Sequence, residues 1–458
     1  MRSSDIPEED ILELKTLRNE LAPRDSPFAF NNNSGGGFVG DRDLCVTSAS
    51  VYENETSSGS SCNGGLFNSA EQTCVPIAPW ARRSGPRRTI YWDPRQVTAA
   101  IVTCGGLCPG LNDVIQNIVF TLEDYGVRPD AIFGIRYGLR GFYSRTSKPV
   151  ELKQKRVDGI HLTGGTILGT SRGGADIRRI VQRLSLWGIN MLFVVGGNGG
   201  NAAANAIQQE CEKQSVLCSV VGIPKSVDND ILLIDRCFGF DTAVEEAQRA
   251  LLAAKVEASS ALNGVGLVRL MGRSSGFITM EASMASGVVD ICLIPEIDFD
   301  VPALMAHARL LLQQKGHIVV CVAEGAGQKL VADSSSGMDA SGNAILKDIG
   351  TYLKDAFKKH LDDADVKYID PTYLIRAVNT NSTDRIYCKV LGQSAVHGAF
   401  AGYTGFTPGL LNTHYVFLPI PVIIQAVRTV DPSGRSWNRL KTAINQPDLV
   451  SSAQAVAA

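Results

Sequence analysis

The sequence predicts an α/β protein of two or three domains, built on mostly parallel sheets with helices on both faces. Three observations predict it. From about residue 96 onward, short apolar, β-branched runs alternate with helix-period segments. The runs end in glycine clusters or an acidic turn, at the carboxyl ends of strands where open parallel sheets hold ligands. A chain of 458 residues with 44% hydrophobic content can also fill more than one core.

Taken in order, residues 1–95 read as a poorly structured N-terminal extension, because 31–37 and 54–68 are rich in Asn, Ser and Gly. A short helix is expected within 9–21. Ala99–Thr103 is the first core strand, closed by Gly105-Gly106. Val114, Ile115, Ile118, Val119 and Leu122 then share one face of a helix over 112–122. Met191–Val195 and Val216–Ile223 are the next strands, each followed by a helix, over 201–209 and 242–257. Val265–Leu270 and Ile318–Ala323 are further buried strands.

Bulk properties narrow the function. A net charge of −2 gives no field that would gather nucleic acid or an anionic membrane. The basic run Arg82-Arg83-Ser84-Gly85-Pro86-Arg87-Arg88 reads as a solvated linker. No stretch approaches the ~20 apolar residues of a membrane span, and the acidic N-terminus resembles neither a signal nor a typical transit peptide. Eleven cysteines, several inside apolar runs (Cys211, Cys218, Cys292, Cys321), fit buried free thiols in a reducing compartment. A cytoplasmic location is expected. Cys104 and Cys108 lack the second pair that a zinc site needs.

Three strand-to-helix loops invite an anion. Gly196-Gly197-Asn198-Gly199-Gly200 removes side chains so that amide N–H groups face outward. Thr103–Asn112 repeats the design, with Pro109 near the helix start and Asn112 as a cap. Gly169–Gly174 adds Arg172, whose forked guanidinium suits phosphate oxygens. Gly197, Gly199 and Ala202 also satisfy G-x-G-x-x-A, which keeps a dinucleotide-binding reading open, although the next strand ends in Lys225 rather than an acid. No Walker-type loop occurs. The turn Gly222–Asp230 supplies Asp228 and Asp230, a base for a sugar hydroxyl or plain turn chemistry.

Six ordered segments from about residue 80 onward resemble the 6-phosphofructokinase family, in the branch of ATP-using enzymes of plants and trypanosomatids. They are Gly105-Gly106-x-x-Pro109-Gly110-x-Asn112, Gly222–Asp230, Phe238–Ala243, Met271–Phe277, Ala323-Glu324-Gly325 and Ile369–Ala377. The resemblance implies two Rossmann-like domains. A donor domain would take 96–240 and about 377–412; a fructose 6-phosphate domain would take 241–376 and about 413–458. It implies a glycolytic, allosteric kinase using ATP and Mg2+, as a homotetramer or homodimer, with Asp228 taking the proton of the sugar 1-hydroxyl. Arg273 and Arg172 would steady the transferring charge. Ser226, Val227, Met271, Gly272, Glu324, Tyr373 and Arg376 would hold the sugar phosphate, and Gly106, Arg172, Gly173, Gly197, Asn198, Gly199 and Gly200 the donor.

One departure stands out. The family carries Gly-Gly-Asp-Gly-Thr/Ser where this chain has Asn198 and Gly200. The missing aspartate would help hold Mg2+. Reduced activity is therefore expected, with a sugar-phosphate-binding regulatory paralogue, assembled with an active one, as the alternative. Gly199 stands where pyrophosphate users carry an acid, which favours ATP; Lys225 is shared with both kinds and keeps pyrophosphate as an alternative donor.

Overall fold

A computed structural model describes residues 3–30, 37–48, 65–68, 73–331, 337–338, 345–361 and 363–450. Thirteen of its strands form two sheets. The larger contains β1 (Leu44–Val46), β2 (Trp80–Arg83), β3 (Ala99–Thr103), β4 (Ile132–Ile135), β5 (Val150–Glu151), β6 (Met191–Gly196), β7 (Ser219–Pro224), β12 (Phe406–Leu411) and β13 (His414–Pro419). Their order is β5-β4-β3-β6-β7-β12-β13-β2-β1, and β4 to β12 run parallel. The smaller sheet contains β8 (Gly264–Leu270), β9 (Ile291–Leu293), β10 (His317–Ala323) and β11 (Asp365–Ile369), all parallel, in the order β9-β10-β8-β11.

The two-residue period of the strands sorts side chains into three cores. Ala99, Ile101, Met191, Phe193 and Val195 face α1 (Leu111–Tyr125) and α8 (Ser382–Phe400) in one apolar cluster. Ala100, Val102, Leu192 and Val194 face α2 (Ile177–Leu186) and α3 (Asn198–Lys213) in a second. In the small sheet, Val265, Leu267, Ile318 and Val320 pack with α6 (Val301–Lys315) and α7 (Ile349–His360) in a third. Val268, Leu270 and Cys321 turn the other way, toward α4 (Phe240–Ser259) and α5 (Phe277–Ser286), and belong to the first cluster. The middle core is thus common to both sheets. The predicted helical face of α1 is fully buried.

Each sheet has one switch point. In the large sheet the chain leaves β3 toward β4 on one side, then returns to β6 on the other. In the small sheet the reversal lies between β8 and β10. Loops that follow such strands diverge and leave a crevice.

The N-terminal part differs from expectation. Residues 9–21 form no α-helix; Glu8–Asp10 makes a single 3-10 turn. Ile11, Leu12 and Leu14 are buried, Leu12 N–H donates to the Trp80 carbonyl (2.8 Å), and Lys15–Thr16 pairs antiparallel with Tyr403–Thr404. Main-chain partners at Trp80 and Tyr403–Thr404 replace the helix's own bonds, so the segment is an extended strap. The basic run is not a solvated linker either: Arg82 lies in β2 and Arg87 is buried against Asp41 (3.0 Å). Most of the Asn/Ser/Gly-rich runs 31–37 and 54–68 lies outside the described residues. The expected break near 412 falls inside the β12–β13 hairpin, and β13 stays in the large sheet.

Candidate active site

The switch-point loops of both sheets meet around one cavity of about 440 Å³. The large sheet contributes Cys104–Leu107 after β3, Gly197–Gly200 after β6 and Lys225–Asp228 with Asp230 after β7. Ser171–Gly173 join them. From the small sheet come Met271, Arg273 and Ser274 after β8 and Glu324 after β10, with Arg376 and Val427.

The glycine loop is the first turn of α3. Asn201 N–H donates to the Gly197 carbonyl (2.9 Å), so the N–H groups of Asn198, Gly199 and Gly200 precede the first helical bond and lie at the helix's positive end. Behind them, Asn201 Nδ2 donates to the carbonyls of Gly196 and Gly197 (both 3.0 Å). That pins the carbonyls inward and leaves the amides for a ligand. Gly222 is small for the same reason, since a Cβ there would come within 2.3 Å of Asn201 Oδ1. At Gly199 a Cβ would meet nothing within 4 Å. The donor end is open at that point.

Asp228 and Asp230 reach one cavity through a turn, with Asn229 left-handed (φ 56°). Asn229 locks the turn by accepting from Cys237 N–H (2.8 Å) and donating to the Asp235 carbonyl (3.2 Å). Asp230 accepts from the Ser226 hydroxyl and from Asn198 Nδ2 (3.1 Å). Asp228 Oδ1 is buried with no hydrogen-bond partner among the described residues. Burial, with Asp230 and Glu324 nearby, pushes its carboxyl up to about 8 against the pull of Lys225 and Arg273. Burial also raises Asp230, opposed by the Ser226 hydroxyl.

Positive charge faces these acids. Lys225 is buried and donates from Nζ to the Gly106 carbonyl (3.0 Å), tying the β7 loop to the β3 loop. Arg376 Nη1 and Arg172 Nη2 lie 3.4 and 3.5 Å from where a Gly106 Cβ would sit, so both guanidiniums converge on that loop. Across the cleft, Gly325 lets β10 approach: a Cβ there would lie 1.9 Å from the Arg273 carbonyl oxygen.

Most sequence-predicted site residues therefore line one cavity: Gly106, Arg172, Gly173, Gly197–Gly200, Ser226, Val227, Asp228, Met271, Arg273, Glu324 and Arg376. Two do not. Tyr373 is 74% exposed and lies outside the lining, with its ring beneath the Arg376 guanidinium (4.9 Å). Gly272 shapes the loop through its φ of 131° and a carbonyl that accepts from Gly325 N–H (3.0 Å). Asn112 caps no helix; it is buried and bonds Thr163 and Ile167, while Gly110 in a left-handed conformation precedes α1. Asn201 was missed. Its sequence signal, a polar side chain on the buried face of an Ala-rich helix, was available.

Among the described residues, no three His, Cys, Asp or Glu side chains gather as a ready-made metal cage. Oxygen donors for a nucleotide-borne Mg2+ are nonetheless present. Asp230 offers carboxylate oxygens to the cavity, and Asn198 Oδ1 is buried with no partner among the described residues. Cys45, Cys104, Cys108, Cys211, Cys218, Cys237, Cys292, Cys321 and Cys388 are buried free thiols.

A helix terminus with bare amides, facing guanidiniums and a raised carboxyl between two sheets define a phosphoryl-transfer protein of α/β fold. The family model "Phosphofructokinase" matches residues 98–399. ATP-dependent 6-phosphofructokinase 5, chloroplastic, of Arabidopsis thaliana is 51% identical over 421 residues, covering 90% of this chain and 76% of that protein. ATP-dependent 6-phosphofructokinase of Trypanosoma brucei brucei is 42% identical over 364 residues, covering 78% and 74%. Among solved structures, pyrophosphate-dependent phosphofructokinase from Marinobacter aquaeolei superposes with a TM-score of 0.64 at 18% identity, over 78% of this chain and 92% of that one, which speaks to fold alone. This chain belongs to the phosphofructokinase family.

Proposed function

We infer that the chain transfers the γ-phosphoryl group of ATP to the 1-hydroxyl of fructose 6-phosphate, giving fructose 1,6-bisphosphate. The observation that carries this reading is Asp228, a raised carboxyl whose Oδ1 has no partner among the described residues, in the same cavity as the bare N-terminus of α3. A carboxylate whose proton affinity sits near neutrality is suited to accept a hydroxyl proton. The α3 amides and Arg172 hold the donor phosphates, and Lys225 keeps the Gly106 loop beside the base. Arg273 meets charge spreading over the transferring group. Arg376, supported by the Tyr373 ring, and Glu324 orient the sugar phosphate. Such chemistry rests on positioning and charge neutralisation more than on covalent steps.

Mg2+ would be held by Asp230 and the carbonyl of Asn198 together with phosphate oxygens, and supplies charge neutralisation when bound. The open space at Gly199 favours a nucleotide over pyrophosphate. The NAD reading loses support from Lys225, a cation where a ribose-binding acid would stand. A homotetramer or homodimer and a cytoplasmic location remain proposals, tested by sedimentation and by a fluorescent fusion; the chloroplastic relative makes plastid import the competing outcome.

The deciding experiment runs ATP and pyrophosphate in parallel, with fructose 6-phosphate and an aldolase-coupled readout. Turnover with ATP and Mg2+ alone is expected. Turnover only with pyrophosphate, or sugar binding without turnover at any Mg2+ level, would overturn the reading.

A further inference from the structure

Glu296, three residues beyond β9, lies outside the cavity, yet two backbone segments from different parts of the chain converge on one of its oxygens. Oε1 accepts from Gly276 N–H (2.9 Å), at the start of α5, and from Val430 N–H (2.7 Å). Each bond leads back to the cleft. On one side, Gly276 follows Ser275, whose hydroxyl donates to the main-chain carbonyl of Asp228 (3.1 Å), and Arg273 stands two residues earlier. On the other, Val430 follows Arg428, whose N–H donates to the Asp230 carbonyl (2.9 Å). The Arg428 guanidinium also bonds the carbonyls of Ile234 and Asp235 (2.9 and 2.8 Å) and lies over the Phe277 ring (4.8 Å).

The contacts close a ring that runs from Glu296 through Gly276 and Ser275 to Asp228, along the turn to Asp230, and back through Arg428 and Val430. Half of it belongs to the loops of the large sheet and half to those of the small one. Gly276 has no slack within it, because a Cβ there would lie 2.5 Å from Ile294 Cβ and 3.0 Å from Glu296 Oε2. Glu296 Oε2 is itself buried with no partner among the described residues. Two buried N–H groups thus depend on a single acceptor.

We propose that Glu296 is a positioning residue: it fixes the Arg273 loop in register with the Asp228 turn, so that the two halves of the cleft meet in reactive geometry. The proposal rests on Asp228 and Arg273 acting as assigned above. It does not require charge, because both bonds need only an acceptor oxygen, which glutamine keeps. Truncation to alanine leaves two N–H groups unsatisfied and frees both loops.

The test uses the full chain, with steady-state kinetics on fructose 6-phosphate and ATP, nucleotide binding by calorimetry without sugar, and thermal melts. Glu296→Ala is expected to lower kcat/KM for the sugar about tenfold to hundredfold while ATP affinity holds within about twofold. Glu296→Gln is expected to stay within about threefold of wild type. Ser275→Ala breaks the ring at another point and is expected to lower kcat about threefold to tenfold with an unchanged melt. If Glu296→Ala keeps wild-type kcat/KM, loses ATP affinity in proportion, or is no worse than Glu296→Gln, the proposal fails. Should the alanine variant not fold, wild-type kinetics in Ser275→Ala overturn it. A wild-type chain without turnover would instead overturn the assigned reaction.

Discussion

At the scale of single residues, Asp228 makes the sharpest commitment. Its carboxyl binds a proton up to about pH 8 in the folded chain, against an ordinary value of 3.8. The free enzyme should therefore show kcat/KM rising with pH on an apparent pKa far above the carboxylate range, since the base works only when ionised. Asp228→Asn is expected to lower kcat by about 10²–10⁴-fold. The stability effect has a definite sign. A raised folded-state pKa means the wild type loses stability as pH climbs from 3.8 toward about 8. The Asn variant escapes that loss, so its melting advantage should grow across that window in thermal scans. Asn198 is the second commitment. Its amide donates to Asp230, and an aspartate there would replace that bond with a third carboxylate beside two raised ones. Asn198→Asp should melt lower without metal, recover on adding Mg2+ or Mn2+, and turn over about tenfold to hundredfold faster at limiting Mg2+. Direct Mn2+ binding measured by electron paramagnetic resonance, without nucleotide, separates the metal effect from rate.

Among the elements, α3 shows how a helix becomes a binding device. Its N-terminal amides are exposed by glycine, and Asn201 holds the preceding carbonyls so that the amides stay aimed at the cavity. Asn201→Ala should raise the KM for ATP about threefold to thirtyfold, with little change in the KM for the sugar, in initial-rate measurements. Threefold to thirtyfold is about 0.7–2 kcal/mol, in the lower part of the ~1–3 kcal/mol that two lost hydrogen bonds typically cost. The strap at residues 11–16 shows where local pattern misleads. Apolar residues at 11, 12 and 14 fit a helix face as well as a strap, and distant partners at Trp80 and Gly402 decide the matter.

For the molecule as a whole, the N-terminal part is held by a charged knot that no local signal marks. Asp41 accepts from Arg18 (2.5 Å), Arg87 (3.0 Å) and the Tyr403 hydroxyl (2.7 Å), bringing together segments hundreds of residues apart. Burial by itself would raise the Asp41 carboxyl, but these partners hold it well below the usual carboxylate range. A depressed pKa stabilises the fold above the unfolded value and loses that stabilisation as pH falls. Asp41→Asn should thus melt below wild type at neutral pH, with the gap closing below about pH 4; thermal scans across pH would check it. Against this background, much of the fold and site was legible in advance. The strands and helices from Ala99 to Ala323 follow apolar period, and the phosphate loops and acidic turn follow residue types that few other roles favour. Asp228, Arg273 and Glu324 could be named because ordered motifs carried them, and Arg172 because a glycine-rich loop did. Period and motif are local properties, so sequence alone determined the α/β class, the glycine-rich strand-to-helix loops and the acidic turn. What only tertiary structure decided depends on separation in the chain. Arg376 turns toward Gly106, Tyr373 drops out of the lining, β13 remains in the large sheet, and Glu296 joins two loops through one oxygen. Each is set by which surfaces meet once both switch-point crevices face each other, and no window of sequence contains both partners.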